Sequence, residues 1–160
     1  FDDEDFDSMT MCCACGGGST GTGTDSTDSD SECPTEGSVA PSGYPVALDT
    51  TDGESADYDL SCDLYGHDSP DLAFEWTPPL TREYSISTDG SDFDTVLAVF
   101  NADCSTELYC DDDGGEPIDG VSGAASEIVQ TFTGYTTYII VIKGVTTVAT
   151  GDFLLSITPS

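Results

Sequence analysis

Basic side chains are almost absent from this sequence of 160 residues. Arginine and lysine together number 2, against 32 aspartates and glutamates, so the formal net charge is -30 at pH 7. A surface of this sign repels nucleic acid phosphates and anionic membranes, which excludes nucleic acid as a partner. With Arg82 and Lys143 as the available counterions, the carboxylates need bound cations, protonation or high salt to lie close together. A bound divalent cation is the favoured interpretation, and a halophilic, heavily solvated surface is the alternative.

Long apolar runs are also missing. No stretch could serve as a membrane span or as the apolar region of a signal peptide, and the chain begins at Phe1 rather than at a methionine. We therefore expect a processed product that does not insert into membranes.

Histidine occurs once, at His67, which limits the catalytic options. A Ser-His-Asp triad would have to combine His67 with Ser61 or Ser69, in an aspartate-rich loop without a nucleophile-elbow pattern. A carboxylate pair of the glycosidase type is the remaining alternative in so acidic a chain, but nothing indicates a cleft. We predict that the protein has no catalytic residues and is not an enzyme.

The chain has 7 cysteines and almost no lysine. Disulfides persist in oxidising compartments, so the cysteines predict an extracellular protein. The odd number leaves at least one thiol free or bonded to another molecule, unless its partner lies in a missing part of a longer chain.

The sequence divides into two regions. Residues 1–37 carry ten acidic and no basic side chains and include a long run of Gly, Ser, Thr and Asp. Such a composition cannot bury a core, so we predict an extended N-terminal arm and linker. Residues 38–160 instead show short β-branched or alternating stretches between turn residues, which predicts a single β domain.

The β domain is predicted to contain about eight strands, at residues 45–49, 72–77, 83–88, 95–101, 107–110, 127–132, 137–143 and 152–158. Strands at this spacing indicate an all-β sandwich or barrel. The apolar run 138–142 predicts a central strand covered on both faces. Trp76 alternates with Phe74 as a core residue does, and a sugar-binding surface is the other interpretation.

Acidic loops provide the candidate metal site. Asp92 and Asp94 flank a turn before one strand, and Asp111, Asp112 and Asp113 follow another. Calcium takes about six to eight oxygen ligands, so two facing loops of aspartates predict a calcium site, with a spacing unlike that of an EF-hand. The alternative is that some of these aspartates only cap turns through backbone N–H groups.

Several motifs in the β domain occur in an order that we recognise. They are Ala56-Asp57-Tyr58, the stretch 70–78 with Phe74-Glu75-Trp76, the turn and strand 90–97, the Cys-x5-Cys-Asp-Asp-Asp hairpin at 104–113, and the ending 138–157. Together they resemble the bacterial pre-peptidase C-terminal domains of secreted proteases, over about residues 38–160. The resemblance implies a jelly-roll-like antiparallel β-sandwich, and it is only weakly informative about function.

Two disulfides are predicted within and beside the β domain. Cys104 and Cys110 lie at the two ends of a short segment with a turn, which favours a local hairpin disulfide. Zinc binding is the alternative, although histidine support is lacking. Cys33 and Cys62 have no local partner, and a bond between them would anchor the arm.

The arm contains the cluster Cys12-Cys13-Ala14-Cys15 followed by three glycines. This cluster resembles the end of a small cysteine-rich module of secreted proteins from microbial eukaryotes. Cys12, Cys13 and Cys15 would then bridge among themselves, to Cys33 or to a neighbouring molecule.

The Ser/Thr-rich part of the arm is a flexible linker by composition. Ordering by contacts with neighbouring subunits is one alternative to a bare linker, and O-linked sugars are another. The threonines predicted to carry such sugars are Thr20, Thr22, Thr24 and Thr27.

Two functions follow from these features. The first is a structural subunit of an extracellular filament or matrix, in which the arm of one copy docks on the β domain of the next and the partner is the protein itself. The second is an accessory module of a larger secreted hydrolase that binds glycans or protein, which the family resemblance favours.

Overall fold

The structure is a computed structural model, and it describes residues 33–65, 68–120 and 123–160. Predictions that concern the arm up to residue 32, and the interpretation of His67, lie outside these residues. They include the disulfides of Cys12, Cys13 and Cys15 and the glycosylation of Thr20, Thr22, Thr24 and Thr27.

Eight strands form the described part of the chain. They are β1 Gly43–Thr50, β2 Asp71–Trp76, β3 Arg82–Ser87, β4 Thr95–Asn101, β5 Glu107–Asp111, β6 Glu127–Phe132, β7 Tyr138–Gly144 and β8 Asp152–Pro159. Each agrees with a predicted strand to within one or two residues at either end. Among the described residues, no helix has the length and hydrophobicity that a membrane span requires.

The strands pair into two four-stranded sheets, in the orders β1-β8-β3-β6 and β2-β7-β4-β5, and every pairing between them is antiparallel. Apart from the β4–β5 hairpin, neighbours in each sheet are far apart in sequence, which is the strand order of a jelly roll. The predicted all-β, jelly-roll-like sandwich is therefore confirmed.

The core between the two sheets is built around Trp76, which is fully buried. Tyr84 and Phe132 meet its ring edge-on, with ring centroids 5.2 and 5.0 Å away. The indole N–H donates to the carbonyl of Pro41 at 3.0 Å, so the polar atom of the side chain is satisfied. Trp76 is a core residue, as its alternation with Phe74 predicts.

A second hydrophobic cluster lies on the outer face of the sheet β2-β7-β4-β5. Strand β7 is buried along its whole length between β2 and β4, which confirms the predicted central strand. Residues 54–65, from the connection between β1 and β2, cover this face. The cluster consists of Tyr58, Leu60, Ala73, Val96, Ala98, Phe100, Ile139 and Val141.

Lys143, on β7, binds this covering segment through an ion pair and a hydrogen bond. Its side chain has 0% exposure, and its ammonium lies 3.2 Å from the carboxylate of Asp63, which is also 0% exposed. The ammonium also donates to the carbonyl of Tyr58 at 2.9 Å. Asp71 accepts the backbone N–H groups of Asp57 and Tyr58 at 3.0 and 2.9 Å, which fixes the start of the segment.

Two disulfides join Cys33 to Cys104 and Cys62 to Cys110, each with a Cα–Cα distance of 5.8 Å. The four predicted cysteines are thus the bonded ones, but the predicted pairs Cys104–Cys110 and Cys33–Cys62 are wrong. Cys104 lies in the loop after β4, whereas Cys110 lies within β5. At ~3.3 Å per residue, that position is about 10 Å along the strand, too far for a bond that needs Cα atoms within about 7 Å.

Residues 33–39 belong to the sandwich rather than to the arm. Ser38 forms a parallel bridge to Glu75 on β2, and the N–H of Glu36 donates to the carbonyl of Ala73 at 2.8 Å. With the bond from Cys33 to Cys104, these contacts attach the segment to the edge of β2. The predicted boundary between residues 37 and 38 therefore falls inside a segment that is already paired with the sheet.

The loops gather at two opposite ends of the sandwich. The tyrosine end consists of residues 77–81, 102–106 and 133–137, which connect β2 to β3, β4 to β5 and β6 to β7. The aspartate end consists of residues 51–70, 88–94, 112–126 and 145–151. Four of the five predicted metal ligands lie in loops of the aspartate end, and Asp111 ends β5 beside them.

Candidate metal centre

Three aspartates converge where β4 begins and β5 ends. Leu97 pairs with Asp111 across the β4–β5 ladder, so Asp94, just before β4, lies beside the residues that follow β5. One carboxylate oxygen from each of Asp94, Asp112 and Asp113 lies within 4.8 Å of the others. The structure therefore brings together three of the five aspartates that the sequence assigns to a metal.

Two oxygens of this group are buried without a hydrogen-bond partner, namely Oδ1 of Asp94 and Oδ1 of Asp112. Buried polar atoms in folded proteins are nearly always paired, because an unpaired one costs free energy that water would otherwise supply. The two oxygens belong to neighbouring carboxylates in one cluster. A cation placed among them would satisfy both.

The group also holds negative charges close together. Burial, followed by the charges of Asp113 and Asp94, raises the pKa of Asp112 to about 6. Burial, followed by the charge of Asp113, raises the pKa of Asp94 as well. Both shifts arise because negative charges are held close together in a partly desolvated place.

Asp111 and Asp92 lie outside the group. Oδ2 of Asp111 accepts the backbone N–H of Gly114 at 2.8 Å and that of Glu127 at 2.9 Å, which is the turn-capping role. Asp92 is exposed, and its carboxylate passes close to Gly151, where a Cβ atom would come within 2.3 Å of Oδ1.

The loop after β5 is shaped by the same carboxylates. Asp113 accepts the N–H of Ala124 at 3.2 Å through Oδ1, so the far side of the loop returns to the group. Gly123 lies against Asp94, and a Cβ atom there would lie 1.9 Å from Oδ2. Only glycine fits at this position, because any side chain would displace the carboxylate.

A buried hydroxyl network underlies the group, and the sequence analysis missed it. The Ser126 hydroxyl shares its one hydrogen between the carbonyls of Thr95 and Asp112, at 2.6 and 2.9 Å, and the hydroxyls of Thr88 and Thr95 are hydrogen-bonded at 2.6 Å. These bonds tie the start of β4 to the loop after β5. Ser126 directly precedes β6, and Thr88 directly follows β3. Because β3 and β6 pair, the two residues lie at the same end, and the network could have been predicted only from that pairing.

Asp89 was missed as well. Its Oδ1 accepts the N–H of Glu116 at 2.8 Å, and the space that a Cβ atom on Gly115 would need is occupied by the same oxygen. Asp89 therefore joins the loop 88–94 to the loop 112–126, and it supports the carboxylate cluster without being part of it.

The donor set fits a hard divalent cation. Three carboxylates supply oxygens only, which suits calcium or magnesium better than zinc, whose structural sites are built from Cys and His. Calcium takes about six to eight oxygens, so water or backbone carbonyls would complete the shell. Asp94, Asp112 and Asp113 are the residues that would hold it.

Comparison with solved structures finds a similar fold. No protein-family model matches the chain, and no curated protein matches its sequence. A solved structure, the pre-peptidase C-terminal domain of collagenase from Bacillus anthracis, has a TM-score of 0.49 and 11% sequence identity. The alignment covers 78% of this chain and 97% of that one. The jelly-roll-like sandwich that the motifs imply is established by the strand order of the described residues.

Proposed function

We propose that the protein is a non-catalytic structural subunit of an extracellular filament or matrix, which assembles through its N-terminal arm and is stabilised by calcium. The cysteines carry this proposal. The two disulfides of the sandwich use Cys33, Cys62, Cys104 and Cys110. No other cysteine lies between residues 33 and 160.

The arm thiols therefore have no partner in the sandwich. Cys12, Cys13 and Cys15 can form at most one bond among themselves, so at least one of them is free or bonded outside these 160 residues. A bond to Cys33, which the sequence left open, is excluded because Cys33 is already bonded. A covalent link from the arm to another copy satisfies this leftover thiol, and disulfides of this number suit an oxidising, extracellular environment.

Assembly is tested by removing residues 1–32 and keeping Cys33, which the sandwich needs. The full chain is expected to form polymers visible by electron microscopy and sedimentation, and the shortened chain to remain monomeric. The matched control is the full chain with Cys12, Cys13 and Cys15 replaced by serine, which separates the covalent link from other arm contacts.

Polymers of unchanged form from the shortened chain would contradict the proposal. Tight binding of glycans or fibrous protein by that monomer would instead favour an accessory binding module.

Calcium is tested by thermal melting with the cation and with excess chelator at equal ionic strength. Binding to the folded state alone contributes RT ln(1 + [L]/Kd), or about 4 kcal/mol at a concentration near 1,000 Kd. Asp112→Asn should abolish the shift in Tm. Asp92→Asn is the matched control and should keep it, because Asp92 lies outside the group. An equal Tm of the wild type in both conditions would mean that the aspartates only shape the loops.

A further inference from the structure

The tyrosine end carries an apolar tip that the fold does not use. Tyr135 is 84% exposed, and the nearby Leu80 is 58% exposed. The two belong to loops that touch, since the N–H of Tyr135 donates to the carbonyl of Pro78 at 2.8 Å and that of Gly134 donates to Thr81 at 2.9 Å. An exposed aromatic ring and an exposed leucine thus lie in two loops that are hydrogen-bonded to each other.

The backbone at Tyr135 is unfavourable for a tyrosine. Its φ is 60°, in the left-handed region that glycine adopts at little cost and aromatic residues rarely adopt. The order Gly134-Tyr135 cannot be reversed to place the glycine at the left-handed position, because a Cβ atom at position 134 would lie 2.7 Å from the backbone of Leu80 and Thr81. Strained residues of this kind concentrate at functional sites. The exposed ring is therefore a candidate for contact with another molecule.

Arg82 lies at the same end. It begins β3, pairs with Phe132 in the ladder with β6, and is exposed. Its guanidinium donates to the carbonyl of Ser160. Because Lys143 is buried, Arg82 is the exposed basic side chain of the residues that the structure describes. The tyrosine end thus combines apolar groups with one positive charge, beside the carboxylates of Glu83 in β3 and Asp103 in the loop 102–106.

The aspartate end offers the complementary features. A cavity of about 360 Å³ opens between the loop before β4 and the loop 145–151. Phe93, Val145 and Ala149 line it together with the carboxylates of Asp92 and Asp94. Val148, which is 86% exposed, is also part of its lining. This surface is apolar with a negative margin.

We propose that the tyrosine end of one copy docks on the aspartate end of the next. Tyr135 and Leu80 pack against the cavity beside Val148, and Arg82 faces Asp92. The inference rests on the proposed function and adds the surface through which the sandwiches contact each other. A contact between two different surfaces of the same chain does not close on itself, so it propagates as a filament.

The position of the arm agrees with this junction. Cys33 is bonded to Cys104 in the loop 102–106, which places the start of the sandwich at the tyrosine end. The 32 residues before Cys33 could span up to about 110 Å when extended. The arm is therefore attached where the next copy would dock and is long enough to reach along it.

Tyr135→Gly in the full chain is the sharpest test. Glycine suits the left-handed backbone, so the substitution should leave the Tm of the monomer equal or higher, while it weakens self-association by at least about tenfold. Val129→Thr is the matched control, because it changes an exposed apolar residue on the side of β6 and should leave self-association unchanged. Sedimentation at several concentrations measures both.

Arg82 and Asp92 are tested by exchange of charge. Arg82→Glu and Asp92→Arg should each weaken self-association about tenfold, and the double variant should return to within about threefold of the wild type, since the pair is restored with reversed signs. A double variant as weak as the sum of the two single variants overturns the proposed pairing.

The outcomes separate the two proposals. If Tyr135→Gly assembles like the wild type while loss of residues 1–32 abolishes the polymer, the end contact is wrong and assembly through the arm stands. If the full wild-type chain stays monomeric, both are wrong. Loss of assembly in Tyr135→Gly, with an unchanged or higher Tm, supports the end contact.

Discussion

The two outer faces of the sandwich differ in how they meet solvent. The outer face of the sheet β2-β7-β4-β5 is buried under residues 54–65, which are fastened by a disulfide from Cys62 to Cys110 and by the ion pair between Lys143 and Asp63. The outer face of the sheet β1-β8-β3-β6 has no such cover among the described residues, and Leu48 and Val129 are exposed there.

The strands record this difference in their sequences. Strand β7 is buried along its length and β4 nearly so, and both are almost continuously apolar, as strands covered on two faces are. Strand β3 alternates, with Tyr84 and Ile86 in the core and charged or hydroxyl residues outside. The apolar run therefore indicates that both faces of the sheet are covered, but it does not identify the covering segment.

Removing both disulfides should have the largest effect on the covered face. Each closes a long loop, with sequence separations of 71 and 48 residues, and losses of about 2–4 kcal/mol are typical for one such bond. Replacing all four cysteines by alanine should consume most of the ~5–15 kcal/mol margin of a domain. Chemical denaturation measures the loss. The control replaces Cys12, Cys13 and Cys15 by serine and should leave the sandwich as stable as before.

Lys143→Met should come next, at about 3–5 kcal/mol. The substitution removes the ammonium that lies 3.2 Å from the buried carboxylate of Asp63, and breaking a buried ion pair from one side costs about this much. The double variant Lys143→Met with Asp63→Asn removes both charges and should recover part of the loss. If the single and double variants were equally unstable, packing rather than charge would explain the role of Lys143.

Asp71 should make the covered face sensitive to pH. Burial raises the pKa of Asp71 to about 6, despite the opposing effects of the Tyr58 N–H and of Lys143. The folded protein then binds more protons than the unfolded chain between about pH 4 and pH 6, so stability falls as pH rises through this range.

Urea midpoints measured across this range should show that slope in the wild type. Asp71→Asn should flatten it. The remainder belongs to Asp112, whose pKa is also raised to about 6, and to Asp94, whose pKa is raised as well. An unchanged slope in Asp71→Asn would show that Asp71 is ionised throughout.

The smallest effect on stability is expected on the outer face of the sheet β1-β8-β3-β6. Replacing a valine by threonine on each face compares the two faces directly. Val129→Thr places a hydroxyl in solvent and should change stability by less than about 0.5 kcal/mol. Val141→Thr buries the hydroxyl under residues 54–65 and should cost about 1–3 kcal/mol. Similar losses at the two positions, measured by denaturant midpoints, would mean that the faces are equally covered.

Much of the fold could be predicted from the sequence, because each strand has its own pattern. The run 138–142 predicted β7 and its two-sided burial, and the alternation around Trp76 predicted a core residue. The cover could not be predicted in the same way, since residues 54–65 have neither strand nor helix periodicity. Lys143 directly continues the apolar run, and that position is the one signal of its burial.

The candidate metal site was predicted only in part. Both aspartate loops were identified, yet the carboxylates have identical chemistry in the sequence. The carboxylate of Asp111 is taken up by hydrogen bonds from backbone N–H groups, and Asp92 is exposed. Neither fact can be predicted without knowing how the strands pair. The disulfides failed for a similar reason, because nearness along the chain is a poor guide when a strand separates two cysteines.

The bond from Cys33 to Cys104 has a mechanical consequence. Tension applied through the arm enters the sandwich at Cys33 and passes directly to Cys104, so the chain between them carries none of the load. That bypassed stretch, 71 positions in sequence and about 240 Å when extended, includes β1, β2, β3 and β4. Pulling on the arm therefore cannot peel residues 34–39 from the edge of β2 or unzip β1. The sandwich is reinforced against force from that side as long as the bond is oxidised.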